Sequence, residues 1–239
     1  MRHTYYTHIS LFILLIATCL KKGLDVMFNI CQKCGQYRVD KIIDKQRQNA
    51  ICPECRHPHR FKMLPLFILT GASGCGKSTM AIELSRIQEK VVVIENDIFW
   101  REEFHKSNDD FLEFREFCLR AAKNISQANR PVILCGSGVP HQYDICLERR
   151  YFGDMHYLGL VCDDNLLEKR LIERPEYRRS GSNEFITKQK IYNQYLKDLA
   201  FYKNEIDVLD TTQLSKEETA MEILKWINSK YIENTESVN

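Results

Sequence analysis

The sequence predicts a three-layer α/β domain with a five-stranded parallel sheet, preceded by a small N-terminal ribbon closed by four cysteines. Two observations indicate this fold class. Two closely spaced cysteine pairs come first, and from Leu64 onward short β-rich apolar runs alternate with stretches of helical periodicity. With 239 residues and 44% apolar content, the chain is large enough to bury a sizeable core.

The chain divides into four predicted segments. They are an apolar leader at residues 1–26, a ribbon at 27–62, the α/β domain at 63–232 and a polar tail at 233–239. The apolar part of the leader has twelve residues, fewer than the roughly 20 that a membrane-spanning helix needs. Three interpretations stay open: translation begins at Met27, the leader associates with a membrane, or the leader is a cleaved signal.

The ribbon is predicted from the spacing of its cysteines. Two C-x-x-C pairs stand seventeen residues apart, a spacing that favours four thiolates around one structural Zn²⁺. The predicted ligands are Cys31, Cys34, Cys52 and Cys55. A segment of about 35 residues buries little surface, so the metal would supply stability that the core lacks. We expect strands at residues 36–39 and 47–52, and we expect His57 and His59 to lie at the surface.

The other cysteines indicate the redox compartment. Most of them, including Cys135 and Cys162, lie in apolar runs typical of buried thiols rather than of a disulfide framework. A reduced, cytoplasmic protein is therefore predicted.

Five β-rich runs define the strands of the predicted sheet. They span residues 66–70, 91–95, 131–136, 155–162 and 207–211. Between them lie stretches with helical spacing, such as that of Phe111, Phe114 and Phe117. Near-continuous apolar strands connected by helices indicate a parallel sheet covered on both faces.

A phosphate-binding loop follows the first of these strands. Residues 71–79 read GASGCGKST and match G-x-x-x-x-G-K-[S/T], between an apolar strand and a helix. Its backbone N–H groups would hold the phosphates of ATP, Lys77 would reach the β- and γ-phosphates, and Ser78 would bind Mg²⁺. The predicted nucleotide-binding set is Gly71, Ala72, Ser73, Gly74, Cys75, Gly76, Lys77, Ser78, Thr79 and, from the later lid, Arg170.

The position of the acidic residues narrows the class of protein. The third strand runs into LCGSGVP, without the acid that ends a Walker B strand in motors and transporters. Carboxylates follow the second strand instead, at Glu95 and Asp97, where one could deprotonate an acceptor hydroxyl or hold the magnesium shell. Asp97 could alternatively cap a helix.

From residue 64 to about 230 the sequence resembles the P-loop nucleoside, nucleotide and small-molecule kinases. In that group an acidic residue shortly after the second strand commonly faces the acceptor. The resemblance therefore implies a catalytic role for Asp97, with Glu95 as its rival.

The segment DDNLLEKRLIERPEYRRSGS also resembles these kinases, as a helix followed by a mobile lid. Arg170, Arg174, Arg178 and Arg179 would place positive charge over the transferring phosphoryl group, and Arg174 and Arg178 are the predicted catalytic pair. Pro175 would break the helix. A solvated basic helix is the alternative.

The resemblance further places the loop after the last strand against the adenine, at Asp210, Thr211 and Thr212. Phe99, Trp100 and Tyr143 could stack on an acceptor base, although packing between elements is the more common use of such aromatics.

These features predict an ATP-dependent kinase acting on a hydroxyl of a small molecule, most plausibly a nucleoside or nucleotide. The alternative is a nucleic-acid-associated NTPase or polynucleotide kinase that binds through the ribbon. The ribbon carries eight Lys/Arg against three Asp/Glu, and this positive charge favours nucleic-acid binding. The scarcity of aromatic residues in the ribbon, which could stack on bases, argues against it.

Overall fold

The computed structural model describes residues 29–105 and 110–236. The predicted leader lies outside these residues. The chain forms two compact units, Met1–Lys62 and Met63–Asn239. Within the described ranges, no helix combines the length and the apolar character that crossing a membrane requires.

The N-terminal unit is a three-stranded antiparallel sheet in the order β1-β2-β3. Its strands are β1 (Ile42–Asp44), β2 (Asn49–Ile51) and β3 (Pro58–Arg60). The strand predicted at 47–52 corresponds to β2. The prediction of a strand at 36–39 was wrong, since this stretch forms only an isolated bridge, between Tyr37 and Ile30.

The C-terminal unit is the predicted five-stranded parallel sheet. Its strands are β4 (Leu66–Gly71), β5 (Val92–Glu95), β6 (Val132–Cys135), β7 (Met155–Val161) and β8 (Asp207–Asp210). Their spatial order is β5-β6-β4-β7-β8, and every pairing is parallel. All six residues of β4 are buried, because this strand lies between two neighbours and is covered on both faces.

Helices connect the strands, as parallel pairing requires. They are α1 (Lys77–Ile87), α2 (Leu112–Ser126), α3 (Pro140–Asp144), α4 (Asp164–Ile172), α5 (Asn183–Asp198) and α6 (Lys216–Glu236). Short 3₁₀ segments occupy Asn96–Phe99, Glu102–His105, Leu147–Tyr151 and Glu176–Arg178, and a π-helical turn extends α5 at Leu199–Lys203.

Two apolar clusters cover the two faces of the sheet, which makes the three layers. One includes Phe67 and Leu69 from β4 with Leu84 of α1 and Ile223 of α6. The other begins with Leu66 and Ile68 of the same strand and continues into α2 and α5. Alternate residues of β4 therefore pack into the apolar clusters on opposite faces of the sheet. This arrangement confirms the predicted fold class.

A buried ion pair joins α2 to the 3₁₀ segment Leu147–Tyr151. Lys123 Nζ lies 2.7 Å from Glu148 Oε2, and both side chains are at most 2% exposed. Arg120 Nε donates to the second carboxylate oxygen of Glu148 at 3.0 Å. Burial lowers the pKa of Lys123, and the adjacent Glu148 opposes that shift.

Removing the carboxylate should destabilise the fold, because Lys123 would be left buried and charged. We expect Glu148→Ala to lower the free energy of unfolding by about 3–5 kcal/mol. The control Glu222→Ala, which breaks an exposed pair with Lys225, should change it by less than about 1 kcal/mol. Urea denaturation measures both values, and equal effects would contradict the expectation.

Candidate active site

The phosphate-binding loop starts where β4 ends and stops where α1 begins. Gly71 approaches β7 so closely that an added Cβ would lie 2.8 Å from the Leu160 carbonyl oxygen, so a larger residue has no room there. Gly74 and Gly76 have φ values of +92° and +98°, a backbone conformation that favours glycine. The glycines of the motif therefore set the shape of the loop.

Lys77 is held inside this loop. Its Nζ donates to the carbonyl oxygens of Gly71 at 2.6 Å and of Ala72 at 3.0 Å. Burial lowers the pKa of Lys77 and Arg174 adds to that shift, whereas Cys75 and Asp97 oppose it. An ammonium has three N–H donors, so one remains for a ligand.

A cavity of about 410 Å³ opens beside the loop at the carboxyl edge of the sheet. Its lining contains loop residues 73–79 together with both candidate acids and all three arginines predicted for catalysis or nucleotide binding. The charged lining residues are Lys77, Glu95, Asp97, Arg170, Arg174, Arg178 and Lys216. Gly71 and Ala72 are not part of the lining.

Five of these charged residues are basic and two are acidic. Burial lowers the pKa of Arg174, the positive charge of Arg178 lowers it further, and Asp97 opposes the shift. Positive groups that repel one another at a partly buried site would be stabilised by an anionic ligand. The cavity therefore has the electrostatic character of a polyphosphate site.

The two candidate acids occupy different places in the cavity. Ser78 Oγ donates a hydrogen bond to Glu95 Oε1, so Glu95 lies directly beside the residue predicted to bind magnesium. Asp97 is exposed and lies within the 3₁₀ segment Asn96–Phe99. Glu95, not Asp97, stands at the N-cap position of that segment, and its side chain makes no capping hydrogen bond.

Of the arginines assigned to the predicted lid, Arg170 lies within α4, whereas Arg174, Arg178 and Arg179 follow it. This helix ends at Ile172, three residues before Pro175, and the chain then forms the short 3₁₀ segment Glu176–Arg178. Ser180 is buried and donates to the Leu171 carbonyl at 2.9 Å. The next serine, Ser182, caps α5 through a hydrogen bond from the Phe185 N–H.

The three residues expected at the adenine make contacts outside the cavity lining. Thr211 is buried and donates to the Val161 carbonyl oxygen, while Thr212 and Asp210 bond to each other. None of these three lines the cavity, which is instead bordered there by Leu214, Ser215, Lys216 and Thr219.

The aromatic residues named from the sequence pack between elements. Tyr143 is 1% exposed, Phe99 contacts Phe117, and Trp100 packs against Phe104, Phe111 and Phe114. None of the three named residues lines the cavities described.

A second cavity of about 440 Å³ adjoins the loop. It shares Ser73 and Ser137 with the first cavity. Its other lining residues are Val139, His141, Gln142, Gln189, Tyr192 and Tyr195. Gln189 Oε1 accepts from the Ser73 N–H at 2.7 Å, which ties α5 to the loop. The chain thus has two adjoining spaces, one rich in charge and one lined mainly by uncharged polar groups.

Arg115 of α2, which sequence reasoning missed, does not line this second cavity but contacts Gln142, which does. It is 6% exposed, and its Nε donates to the Gln142 carbonyl at 3.1 Å. One terminal nitrogen, Nη2, has no hydrogen-bond partner within the described ranges and is 3.8 Å from Asp110 Oδ2. An arginine within the apolar stripe of a helix was the available signal.

In the N-terminal unit, the four predicted thiols converge. Their sulfurs lie within 4.8 Å of one another, with 3.5 Å between Cys31 and Cys55 and 3.9 Å between Cys34 and Cys52. Four sulfurs at about 2.3 Å from one Zn²⁺ are roughly 3.8 Å apart, so the arrangement fits a tetrahedral ion.

The two halves of this cluster have matching backbone geometry. The Cys31 N–H donates to the carbonyl of residue 36 and the Cys52 N–H to that of residue 57. Gly35 and Arg56, which follow the second cysteine of each pair, both have positive φ. His59 is 1% exposed, so its predicted surface position was wrong.

The pKa values of the first cysteine pair are shifted in opposite directions. Burial raises the pKa of Cys31, but hydrogen bonds, chiefly from the backbone of Cys34 and Lys33, bring it down to about 5. The backbone of Gln36 lowers the pKa of Cys34, but burial and the other sulfurs raise it to about 12.

A parallel sheet with this loop, an acid pair after the neighbouring strand and an arginine-rich segment over one cavity define a P-loop kinase. The shikimate kinase family model matches residues 73–228. The chain therefore belongs to the shikimate kinase family. The match begins after the ribbon.

Sequence relatives align with this chain over nearly their whole length. A shikimate kinase of Bacillus cytotoxicus is 27% identical over 179 residues, which are 67% of this chain and 97% of the relative. A shikimate kinase of Leptospira biflexa is 29% identical over 182 residues, 68% and 96% of the two chains.

Solved structures share the fold. A gluconokinase from Sinorhizobium meliloti 1021 has a TM-score of 0.56 at 16% identity and covers 74% of this chain and 99% of its own. A sugar kinase from Janibacter sp. HTCC2649 has a TM-score of 0.53 at 17% identity, with coverages of 70% and 95%.

Family membership confirms the predicted P-loop kinase acting on a small molecule. As in other kinases of this kind, it implies ATP as phosphoryl donor and Mg²⁺ as the accompanying ion.

Proposed function

We propose that this protein transfers the γ-phosphoryl group of ATP to a hydroxyl of a small hydroxylated carboxylic acid, of the shikimate or sugar-acid type. The observation that carries the proposal is the charged cavity, in which the phosphate loop, two carboxylates and three arginines meet. The family match supports a hydroxylated acid. Neither a nucleoside nor a nucleic acid is supported by the relatives described above.

The loop and Lys77 bind the donor. Residues 73–79 supply backbone N–H groups at the N-terminus of α1, and Lys77 has one N–H donor left after bonding two carbonyls. Leu214, Ser215 and Lys216 border the same cavity and would contact the nucleotide.

Ser78 and Glu95 form the magnesium side of the site. A hydroxyl and a carboxylate are oxygen ligands of the kind that Mg²⁺ prefers, and these two are already hydrogen-bonded. When bound, the ion neutralises charge on the phosphates. Because Glu95 is engaged with Ser78, it is placed to hold the magnesium shell.

Asp97 is then the general base. It lies in the same cavity, beyond Glu95, and its charge acts on both Lys77 and Arg174. A carboxylate there can accept the proton of the attacking hydroxyl. Arg174 and Arg178 stabilise the negative charge on the transferring group, and Arg170 contacts the nucleotide phosphates.

The second cavity holds the acceptor. It meets the charged cavity at Ser73 and Ser137, so an occupant could present a hydroxyl toward the phosphates. Its amide and tyrosine side chains suit the hydroxyls of such a ligand. Arg115, behind Gln142, is the buried cation that would pair with the carboxylate of the acceptor.

We propose further that the ribbon binds one structural Zn²⁺ through Cys31, Cys34, Cys52 and Cys55. The four sulfurs have the spacing of a closed tetrahedral site, which leaves no position open for chemistry.

Conservative variants test the proposed roles of the two acids, magnesium binding by Glu95 and proton acceptance by Asp97. We expect Asp97→Asn to lower kcat by about 10²–10⁴ with ATP affinity kept, because only the proton acceptor is lost. Glu95→Gln should raise the Mg²⁺ concentration for half-maximal activity by about 10–100-fold. Steady-state kinetics across a magnesium titration separates the two effects.

Lys77→Ala serves as the control that should abolish transfer while the circular dichroism spectrum stays unchanged. If Asp97→Asn turned over normally and Glu95→Gln did not, the base would be Glu95 instead.

The acceptor class is tested by ADP release with shikimate, gluconate, a neutral hexose and nucleosides. We expect the acids to be phosphorylated and the neutral compounds to fail. Arg115→Met should raise the acceptor KM by about tenfold or more with a smaller change in kcat, because a ground-state contact is lost. The control Arg86→Met changes an exposed arginine of α1 and should have no effect. Phosphorylation of nucleosides alone would refute the assignment.

The zinc proposal is tested by metal analysis of the purified chain. We expect one zinc per chain in the wild type and a large loss in Cys52→Ser, whereas Cys118→Ser, which alters a buried thiol of α2, should keep the metal. Hydrogen exchange of residues 29–62 should accelerate in Cys52→Ser, because the metal stabilises this small unit. A metal-free wild type with slow exchange would contradict the proposal.

A further inference from the structure

Cys75 occupies a position in the phosphate loop to which the loop motif gives no side-chain role. Its sulfur lies 3.8 Å from the sulfur of Cys162, the residue that follows β7. Both side chains are at most 2% exposed. Two thiols from distant parts of the chain thus face each other, and one of them belongs to the phosphate loop.

The partner thiol is fixed in place. The Cys162 N–H donates to Asn193 Oδ1 at 3.2 Å, and its carbonyl accepts from Asn193 Nδ2 at 2.8 Å and from Lys197 Nζ at 3.1 Å. Asn193 is fully buried in α5. The backbone of Cys162 is therefore held on both its polar groups from α5. Cys75 has weaker contacts, since its N–H donates to the Ala72 carbonyl within the loop at 3.2 Å and its Sγ lies 3.8 Å from Asn193 Oδ1.

The pKa values of the two thiols are shifted in opposite directions. A hydrogen bond from Cys162 lowers the pKa of Cys75, burial opposes this, and the charges of Lys77 and Arg170 lower it further. The same contact raises the pKa of Cys162. Cys75 is one of the lining residues of the charged cavity, which places this residue beside the space through which a small solute would approach.

We propose that Cys75 and Cys162 form an oxidation-sensitive pair, which hydrogen peroxide converts to a disulfide that weakens ATP binding. The Cys75 thiolate attacks one peroxide oxygen, which forms an S–O bond, breaks the O–O bond and releases hydroxide that is protonated to water. The Cys162 sulfur then attacks the Cys75 sulfenic acid, which forms the S–S bond and releases a second water. The two thiols lose two hydrogens, and the peroxide is reduced to water.

The geometry explains why this bond would inhibit. The sulfurs must close from 3.8 Å to about 2.05 Å. Because Cys162 is held by Asn193 and Lys197, Cys75 must do most of the moving. Its neighbours Gly74 and Gly76 already have the positive φ values that shape the phosphate cradle. Pulling Cys75 toward β7 would displace the N–H groups on either side of it from the phosphates.

The test compares ATP binding by calorimetry and disulfide mapping by mass spectrometry, before and after peroxide. We expect oxidised wild type to contain the Cys75–Cys162 crosslink, to bind ATP at least about tenfold more weakly, and to recover with dithiothreitol. ATP present during oxidation should suppress the crosslink. The proposal rests on the part of the proposed function that places ATP at the loop. It does not depend on the identity of the acceptor, so a negative acceptor screen would not contradict it.

Cys162→Ala is the matched variant, since it keeps Cys75 and all four ribbon cysteines. Its ATP affinity should change by less than about twofold on oxidation, while Cys118→Ala should respond like the wild type. If a variant fails to fold, disulfide mapping of the oxidised wild type by itself still tests the proposal. Absence of the crosslink, or equal loss of ATP affinity in Cys162→Ala, would overturn the proposal. A reduced wild type that binds no ATP would instead refute the proposed function.

Discussion

The close approach of Gly71 to β7 is the constraint on which the site depends. β4 lies in the middle of the sheet with every residue buried, so the loop that follows it starts from a rigid strand. At Gly71 a Cβ would meet the Leu160 carbonyl oxygen, so the chain turns there without a side chain. Its carbonyl then holds Lys77, and α1 begins at that lysine. The position of the phosphate site follows from strand packing rather than from contacts within the loop.

The sheet could be predicted well because its signals are local. Each of the five strands is a short apolar run, and burial on both faces makes such runs nearly continuous. The phosphate loop is also local, since glycines, lysine and serine within nine residues set both its shape and its chemistry. The ribbon cysteines converge as their spacing indicated, because a C-x-x-C turn brings each pair together before any tertiary contact forms.

What could not be predicted depends on distant packing. Arg115 gives no pattern of its own, and its significance comes from Gln142, 27 positions away, and from Asp110, whose carboxylate lies 3.8 Å from Nη2. His59 became buried because β3 pairs with β2, where it stands opposite Ala50. Thr211 and Thr212 were expected at the adenine, but they bond to the residues that end β7 and begin the turn into α4. In each case the deciding partner comes from another element.

The choice between Glu95 and Asp97 shows how strand order decides a role that spacing leaves open. Two residues apart in an extended strand, both side chains would point to the same face, and alternation does not separate them. β5 ends at Glu95, where the register places it opposite Cys135 and hence one strand away from β4, within reach of Ser78. The chain then enters a 3₁₀ turn in which Asn96 is buried, while Asp97 is exposed and lines the same cavity. Glu95 is thereby hydrogen-bonded to Ser78 of α1, whereas the charge of Asp97 acts on Lys77 and Arg174 in the same cavity.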